Sequence, residues 1–354
     1  MSAHPPSRHG AWRGMGRRLW VSLCAVVALG LAAPALAQPP GGGEADDERF
    51  RDAVAGAMWW GDFPALLDLY RSSMAPQARN ASGLHGRVSL FQEGIRRILG
   101  DDRATAPMHA RVARRMVEQQ ALQPDEPLWL ALEAEVLLAQ AWAVRGTGYA
   151  NTVPPHVWDE FEGLLRQSVD GLARHGDRAL ATPLSHRVLL TAGRGLGLPQ
   201  ARLQAVLDDG LRRHPQAASL LVLTGLEDQL PKWRGDARQV DLYILRHAPR
   251  LAPMTADEGY AWLYSQAARS QFEHQLFQDS RADWPRMRRG YEAMLQRRDS
   301  PGLRQRAAYL ACIARDREAY LVFAGPGLEP LQPAEWGTNP RVTAASCSRW
   351  GATQ

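Results

Sequence analysis

Apolar residues recur every three to four positions along almost the whole of this 354-residue chain, a period that favours helices over strands. Leu84, Val88, Phe91, Ile95 and Ile98 step by four, three, four and three, so one helix gathers them on a single face. Ser82 is placed to cap that helix. Val157, Phe161, Leu164, Leu165, Ser168 and Leu172 follow the same rule, as do Leu203, Val206, Leu207 and Leu211, and again Met287, Tyr291, Met294 and Leu295. No stretch alternates apolar and polar residues long enough to compete as a strand. From Leu128 to Val144 only Glu133, Glu135 and Gln140 are polar. A helix that is apolar nearly all round is buried by neighbours on several sides. Asp125 and Pro127 suit its first turn, and Gly146 suits a left-handed end. The fold class expected is all-α.

Asp170-Gly171-Leu172-Ala173-Arg174-His175-Gly176 returns 39 residues later as Asp209-Gly210-Leu211-Arg212-Arg213-His214-Pro215, and Gly290-Tyr291-Glu292-Ala293-Met294-Leu295 echoes it weakly. A unit of this length is one helix pair, which buries its apolar flank only by stacking on the next. Residues 44–325 are therefore expected to form a tetratricopeptide-like array of α-hairpins, an α-solenoid. Beyond it, residues 326–354 read as an irregular C-terminal tail rich in Gly, Pro and polar residues, packed back through Trp336.

At the other end, Arg17-Arg18 precede an apolar run from Leu19 to Leu31, and Ala35-Leu36-Ala37 supplies a small-x-small cleavage pattern. Residues 1–37 read as a signal peptide cleaved after Ala37, and 38–43 as a flexible spacer. The run is shorter than the ~20 residues that span a bilayer, and no later charge-free stretch reaches that length. The mature chain is expected to have no membrane span and to be periplasmic or secreted. Cleavage removes Cys24 and leaves Cys312 and Cys347, which an oxidising compartment would pair. The loop they close, about 36 residues, corresponds to roughly 3–4 kcal/mol of stability.

The net charge of +5 does not survive that cleavage. Arg8, Arg13, Arg17 and Arg18 lie in the leader, and the rest of the chain sets 38 basic groups against 37 acidic ones. A nearly neutral body gives no electrostatic footprint for nucleic acid. No histidine pair has metal-ligand spacing and no Cys-x-x-Cys occurs, so neither a metal nor a cofactor is expected. His175 and His214 recur at helix ends, where cations suit the dipole. No Gly-x-Ser-x-Gly elbow occurs, and Gly193-Arg194-Gly195-Leu196-Gly197 follows a helix, as a terminus and turn would. Lys232 is the one lysine.

Tryptophan is the compositional excess, with ten beyond the leader. Seven or more are expected in the core, because each fills a large gap between helices. Trp233, with Arg234, lies in the turn-rich connector Pro231-Lys232-Trp233-Arg234-Gly235. Arg145, Tyr149 and Asn151 lie in the loop that ends the apolar helix. These five residues are the candidates for partner binding, since loops held by rigid helices carry sites.

Trp142-Ala143-Val144-Arg145-Gly146 with Gly148-Tyr149-Ala150, then Pro231 to Gly235, then Tyr260-Ala261-Trp262-Leu263-Tyr264, together resemble a bacterial domain-of-unknown-function family. The resemblance covers roughly residues 62–325 and implies an exported, tetratricopeptide-like helical protein with no established activity. It brings no catalytic or binding residue with it. The function expected is non-catalytic binding of a partner protein, peptide or cell-envelope component. The alternative is a cell-envelope carbohydrate-active enzyme on a helical scaffold, with Glu133 and Glu135 as first candidates. Residues two apart on a helix diverge, so those two would not act as a pair.

Overall fold

The computed structural model describes residues 43–100, 106–146, 148, 150–325 and 327–352, and every named element among them is helical. The expected leader, nearly all of the spacer and Tyr149 lie outside the described residues. The helices are α1 (Glu44–Trp60), α2 (Phe63–Met74), α3 (Val88–Leu99), α4 (Ala106–Leu122), α5 (Pro127–Arg145), α6 (Pro155–His175), α7 (Pro183–Gly195) and α8 (Gln200–Arg213). There follow α9 (Ala218–Leu226), α10 (Ala237–His247), α11 (Ala256–Ala267), α12 (Leu276–Asp279), α13 (Trp284–Arg297), α14 (Pro301–Ile313), α15 (Arg317–Ala324) and α16 (Pro340–Ala352).

Local chemistry sets many of the starts. The side chains of Asp62, Thr182, Asp236, Thr255, Asp283, Ser300 and Asp316 each accept an N–H of the first turn that follows. Such caps satisfy donors the helix itself leaves unpaired. At α5, Pro127 opens the helix and Gly146 closes it with φ 74°, as the sequence suggests.

Two kinds of helix alternate. Most residues of α5, α7, α9, α11 and α14 are buried, whereas α6, α8, α10, α13 and α15 bury one face. Packing explains the alternation. α5 lies against α4, α6 and α7; α7 against α8 and α9; α9 against α10 and α11; α11 against α13; and α14 against α13, α15 and α16. Among the described residues α5 is the one helix long and apolar enough to cross a membrane, but 67% of its most apolar window is buried among these neighbours.

The recurring sequence falls on equivalent places. Its two clear copies form the last turns of α6 and α8, and the weak echo lies in α13, each a one-faced helix leading into a buried one. Leu245-Arg246-His247-Ala248-Pro249, at the end of α10, is a further version that the sequence reading missed. Within the echo, a Cβ on Gly290 would stand 2.3 Å from the Asp257 carbonyl oxygen. Glycine there lets α13 lie directly on the α11 backbone.

Two expectations are corrected. Ser82 does not cap a helix, and Leu84 is not helical; α3 begins at Val88. The Asn80 carboxamide accepts from the His85 amide at 3.1 Å and Gly83 takes φ 73°, so a turn wins over the helix. Leu84 is still buried. The C-terminal tail is not irregular throughout, because residues 340–352 form α16. Its buried positions, Ala344, Cys347 and Gly351, are small and give little apolar signal. The bond between Cys312 and Cys347 joins it to α14 across a Cα separation of 5.8 Å. Trp336 packs as expected, fully buried, its indole N–H donating to Gln305 Oε1 at 2.9 Å.

The helical unit also meets itself. The Gly302 amide, at the start of α14, donates to Glu44 Oε1 of α1 at 3.2 Å, across 258 residues of sequence.

Candidate functional site

A cavity of about 2540 Å³ lies inside the turn of helices, bounded by residues of α1, α3, α5 to α11, α13 and α14. Its aromatic wall is built where α5, α6 and the connector after α9 converge. Trp142, three residues from the end of α5, meets Trp233 edge to face with ring centroids 5.6 Å apart, and meets Phe161 of α6 at 5.0 Å. Trp158, one turn before Phe161 on α6, packs on it at 5.8 Å. Arg145 extends its guanidinium over both Trp142 and Trp158, at 5.4 and 5.5 Å from the ring centres. Arg194 does the same over Trp233 at 5.3 Å. Guanidinium on an indole face is favourable, and more so away from bulk water.

The connector is held from below. Gly235 sits where a Cβ would be 1.8 Å from the Gln229 carbonyl oxygen, so no side chain fits. Arg234, just before it, is left-handed at φ 70°. Lys232 donates its backbone amide to Gln271 and its ammonium to the Ser270 carbonyl, both at 3.1 Å, and pairs with Glu227 at 2.9 Å. Ser270 and Gln271 belong to a single π-helical turn, Ala268–Phe272, that continues α11. Such turns concentrate at functional positions.

Buried ion pairs line the floor. Arg187 of α7 grips the Glu135 carboxylate of α5, which Gln92 of α3 also approaches at 3.3 Å. Arg194 pairs with Asp228 at 2.9 Å. Burial dominates at Asp228 and raises it to about 6 despite the adjacent guanidinium. Glu227 goes the other way: burial would raise it, but Lys232 and Ser270 outweigh that and hold it below its usual value. Opposite, the His85 ring lies 4.4 Å from Trp262, and burial with nearby Arg79 lowers it to about 4, so it is neutral at pH 7.

Several polar atoms on the lining are buried without any hydrogen-bond partner among the described residues: Trp142 Nε1, Arg187 Nε, Arg194 Nε, Ser219 Oγ and His85 Nδ1. Buried polar groups are nearly always satisfied, so a cluster of orphans on one surface calls for a cause. Four of the five are N–H or hydroxyl groups able to donate, which suits an occupant rich in acceptors.

The chain matches no family model, no curated protein and no solved structure.

Of the five candidate residues, Arg145, Trp233 and Arg234 line this one cavity. Asn151 is exposed on the short 3-10 turn Ala150–Thr152 and is not among its lining residues, and Tyr149 lies outside the described residues. Of the ten tryptophans, Trp129 and Trp336 are fully buried, and Trp142, Trp158, Trp262, Trp284 and Trp350 pack half-buried against the core clusters, so seven touch the core as expected though only two are sealed in it. Trp142, Trp158, Trp233 and Trp262 also line the cavity wall, and Trp60 is 76% exposed. Sequence reasoning passed over Trp142, Trp158 and Arg194. A signal was available in two i, i+3 pairs, Trp142 with Arg145 and Trp158 with Phe161, at the ends of consecutive helices.

Glu133 and Glu135 point to different neighbours. Glu133 accepts from Gln120 of α4 at 2.5 Å, while Glu135 is taken up by Arg187 and Gln92.

Proposed function

We propose that this chain is an exported, non-catalytic protein whose α-hairpins, stacked as a tetratricopeptide-like array, surround a cavity that takes up a peptide or other cell-envelope component. The observation that carries the reading is the wall of Trp142, Trp158 and Trp233 with unsatisfied donors beside it. Small-ligand pockets run to about 300–1,000 Å³. A cavity of about 2540 Å³ therefore suits an oligomeric occupant better than a single metabolite. Alternation of buried and one-faced helices, with the repeated sequence on the one-faced members, supports the array. The Cys312–Cys347 bond supports an oxidising compartment, and so does the leader-like segment before Gln38. Membership in the exported family that the Trp142 and Trp233 segments resemble is part of the same proposal. The enzyme alternative loses its first candidates, because Glu133 and Glu135 already have partners and do not converge.

Native mass spectrometry of the protein recovered from exporting cells tests this reading. A mature chain beginning at Gln38 is expected, with a bound mass that denaturation releases and that Trp233→Ala diminishes without loss of helical signal. A chain that keeps residues 1–37 inside the cell, or one that turns over an envelope polymer, would overturn it.

A further inference from the structure

We propose that the wall of Trp142, Trp158 and Trp233 is a carboxylate subsite, and that Arg145 and Arg234 hold there the C-terminal carboxylate of a peptide. This rests on the cavity being the binding site proposed above, and adds the chemistry of its occupant.

Charge comes first. Arg187, Arg194, Lys232 and Arg269 on the lining each have a carboxylate, in Glu135, Asp228, Glu227 and Glu335. Arg145 and Arg234 have none within 4 Å among the described residues. Arg145 donates only from Nη1, to the carbonyls of Gly146 at 2.9 Å and Gly148 at 3.1 Å, and its remaining N–H groups make no other bond to a described residue. It is half-buried, and burial lowers its affinity for its proton, the mark of a cation short of compensation. A planar carboxylate matches a guanidinium with two parallel bonds.

Conformation comes second. Arg234 holds a left-handed backbone that non-glycine residues adopt at a cost, and side chains kept in such positions cluster at ligand clamps. Its own hydrogen bonds do not explain it, for its backbone N–H to the Pro231 carbonyl would be made equally by glycine.

Third, the orphan groups beside these arginines, Trp142 Nε1 and Arg194 Nε, are donors. Donors without acceptors fit carboxylate and peptide oxygens. A pyranose would instead ask for open indole faces, and here one face each of Trp142, Trp158 and Trp233 already carries a guanidinium. The ring edges that remain suit the side chains and backbone of a peptide.

The test uses native mass spectrometry of the full chain with an equimolar library of N-acetylated tripeptides, once as free acids and once as C-terminal amides. Oligogalacturonate forms a separate arm. The acids are expected to be retained about tenfold or more over the amides, the effect of losing a charge-assisted hydrogen bond. Arg145→Met and Arg234→Met should each reduce retention of the acids to a similar degree. Arg234→Gly supplies a readout that misfolding does not imitate: the unfolding temperature rises as strain is relieved, while retention of the acids falls. Equal retention of acids and amides overturns the carboxylate assignment, as does retention of oligogalacturonate alone or of none of the probes. If Trp233→Ala abolishes equal retention, or if natively purified protein carries a bound mass that the probes do not replace, the binding reading stands without this subsite. Absence of any bound mass together with absence of probe binding removes both.

Discussion

His247 is fully buried near the end of α10, its ring 4.3 Å from that of Tyr243, and neither ring nitrogen has a hydrogen-bond partner among the described residues. Burial first, then the charges of Arg250 and Arg246, push it down to about 4, against a small opposing effect of Asp208. A histidine lowered in the folded state protonates first in the unfolded chain. Its contribution is therefore fully present above about pH 6.5 and is lost as pH falls toward 4. His85 acts in the same direction, whereas Asp228, raised to about 6, gains protons on folding and opposes them below that pH. Urea unfolding at pH 7, 5.5 and 4 is expected to show the wild type losing on the order of 2–3 kcal/mol more than His247→Leu over that interval. Parallel pH profiles for the two chains would show that His247 does not carry this dependence.

Among elements, α16 depends most on a single link. It buries only Ala344, Cys347 and Gly351, and the bond to Cys312 anchors it to α14. Cys347→Ser is expected to cost about 3–4 kcal/mol in chemical unfolding, with α16 exchanging its amide hydrogens rapidly while α5 stays protected. Unchanged exchange in residues 340–352 would place its stability elsewhere. The same contrast explains which elements could be read from sequence. The long apolar helix α5 announces itself through its composition, and its Pro127 start and Gly146 end are where the residues put them. In α16 the packing surface consists of small residues, so period and hydrophobicity are both faint. Ser82 misled for a different reason, since side chains that cap helices also build turns, and Asn80 and Gly83 decided in favour of the turn.

At the scale of the whole molecule, closure between α1 and α14 through Glu44 and Gly302 leaves the helices around a shared interior. A contact spanning 258 residues follows no spacing rule, so the cavity itself was not legible in the sequence. Part of its wall was. Trp233 and Arg234 stand out because Pro231 and Gly235 break the helical period around them, and Arg145 because Gly146 ends α5 beside it. Trp142 and Trp158 were harder to read, because an aromatic residue on an apolar stripe looks the same whether it faces a core or a cavity, and only their spacing to Arg145 and Phe161 sets them apart. Hydrogen–deuterium exchange of the full chain, with and without the tripeptide acid library, tests most directly whether that interior is the binding site. Protection confined to the ends of α5 and α9, the connector through Arg234 and the turn at residues 268–272 is the expected result. Protection on the outer faces of α6, α8 and α10, or none at any segment lining the cavity, would contradict it.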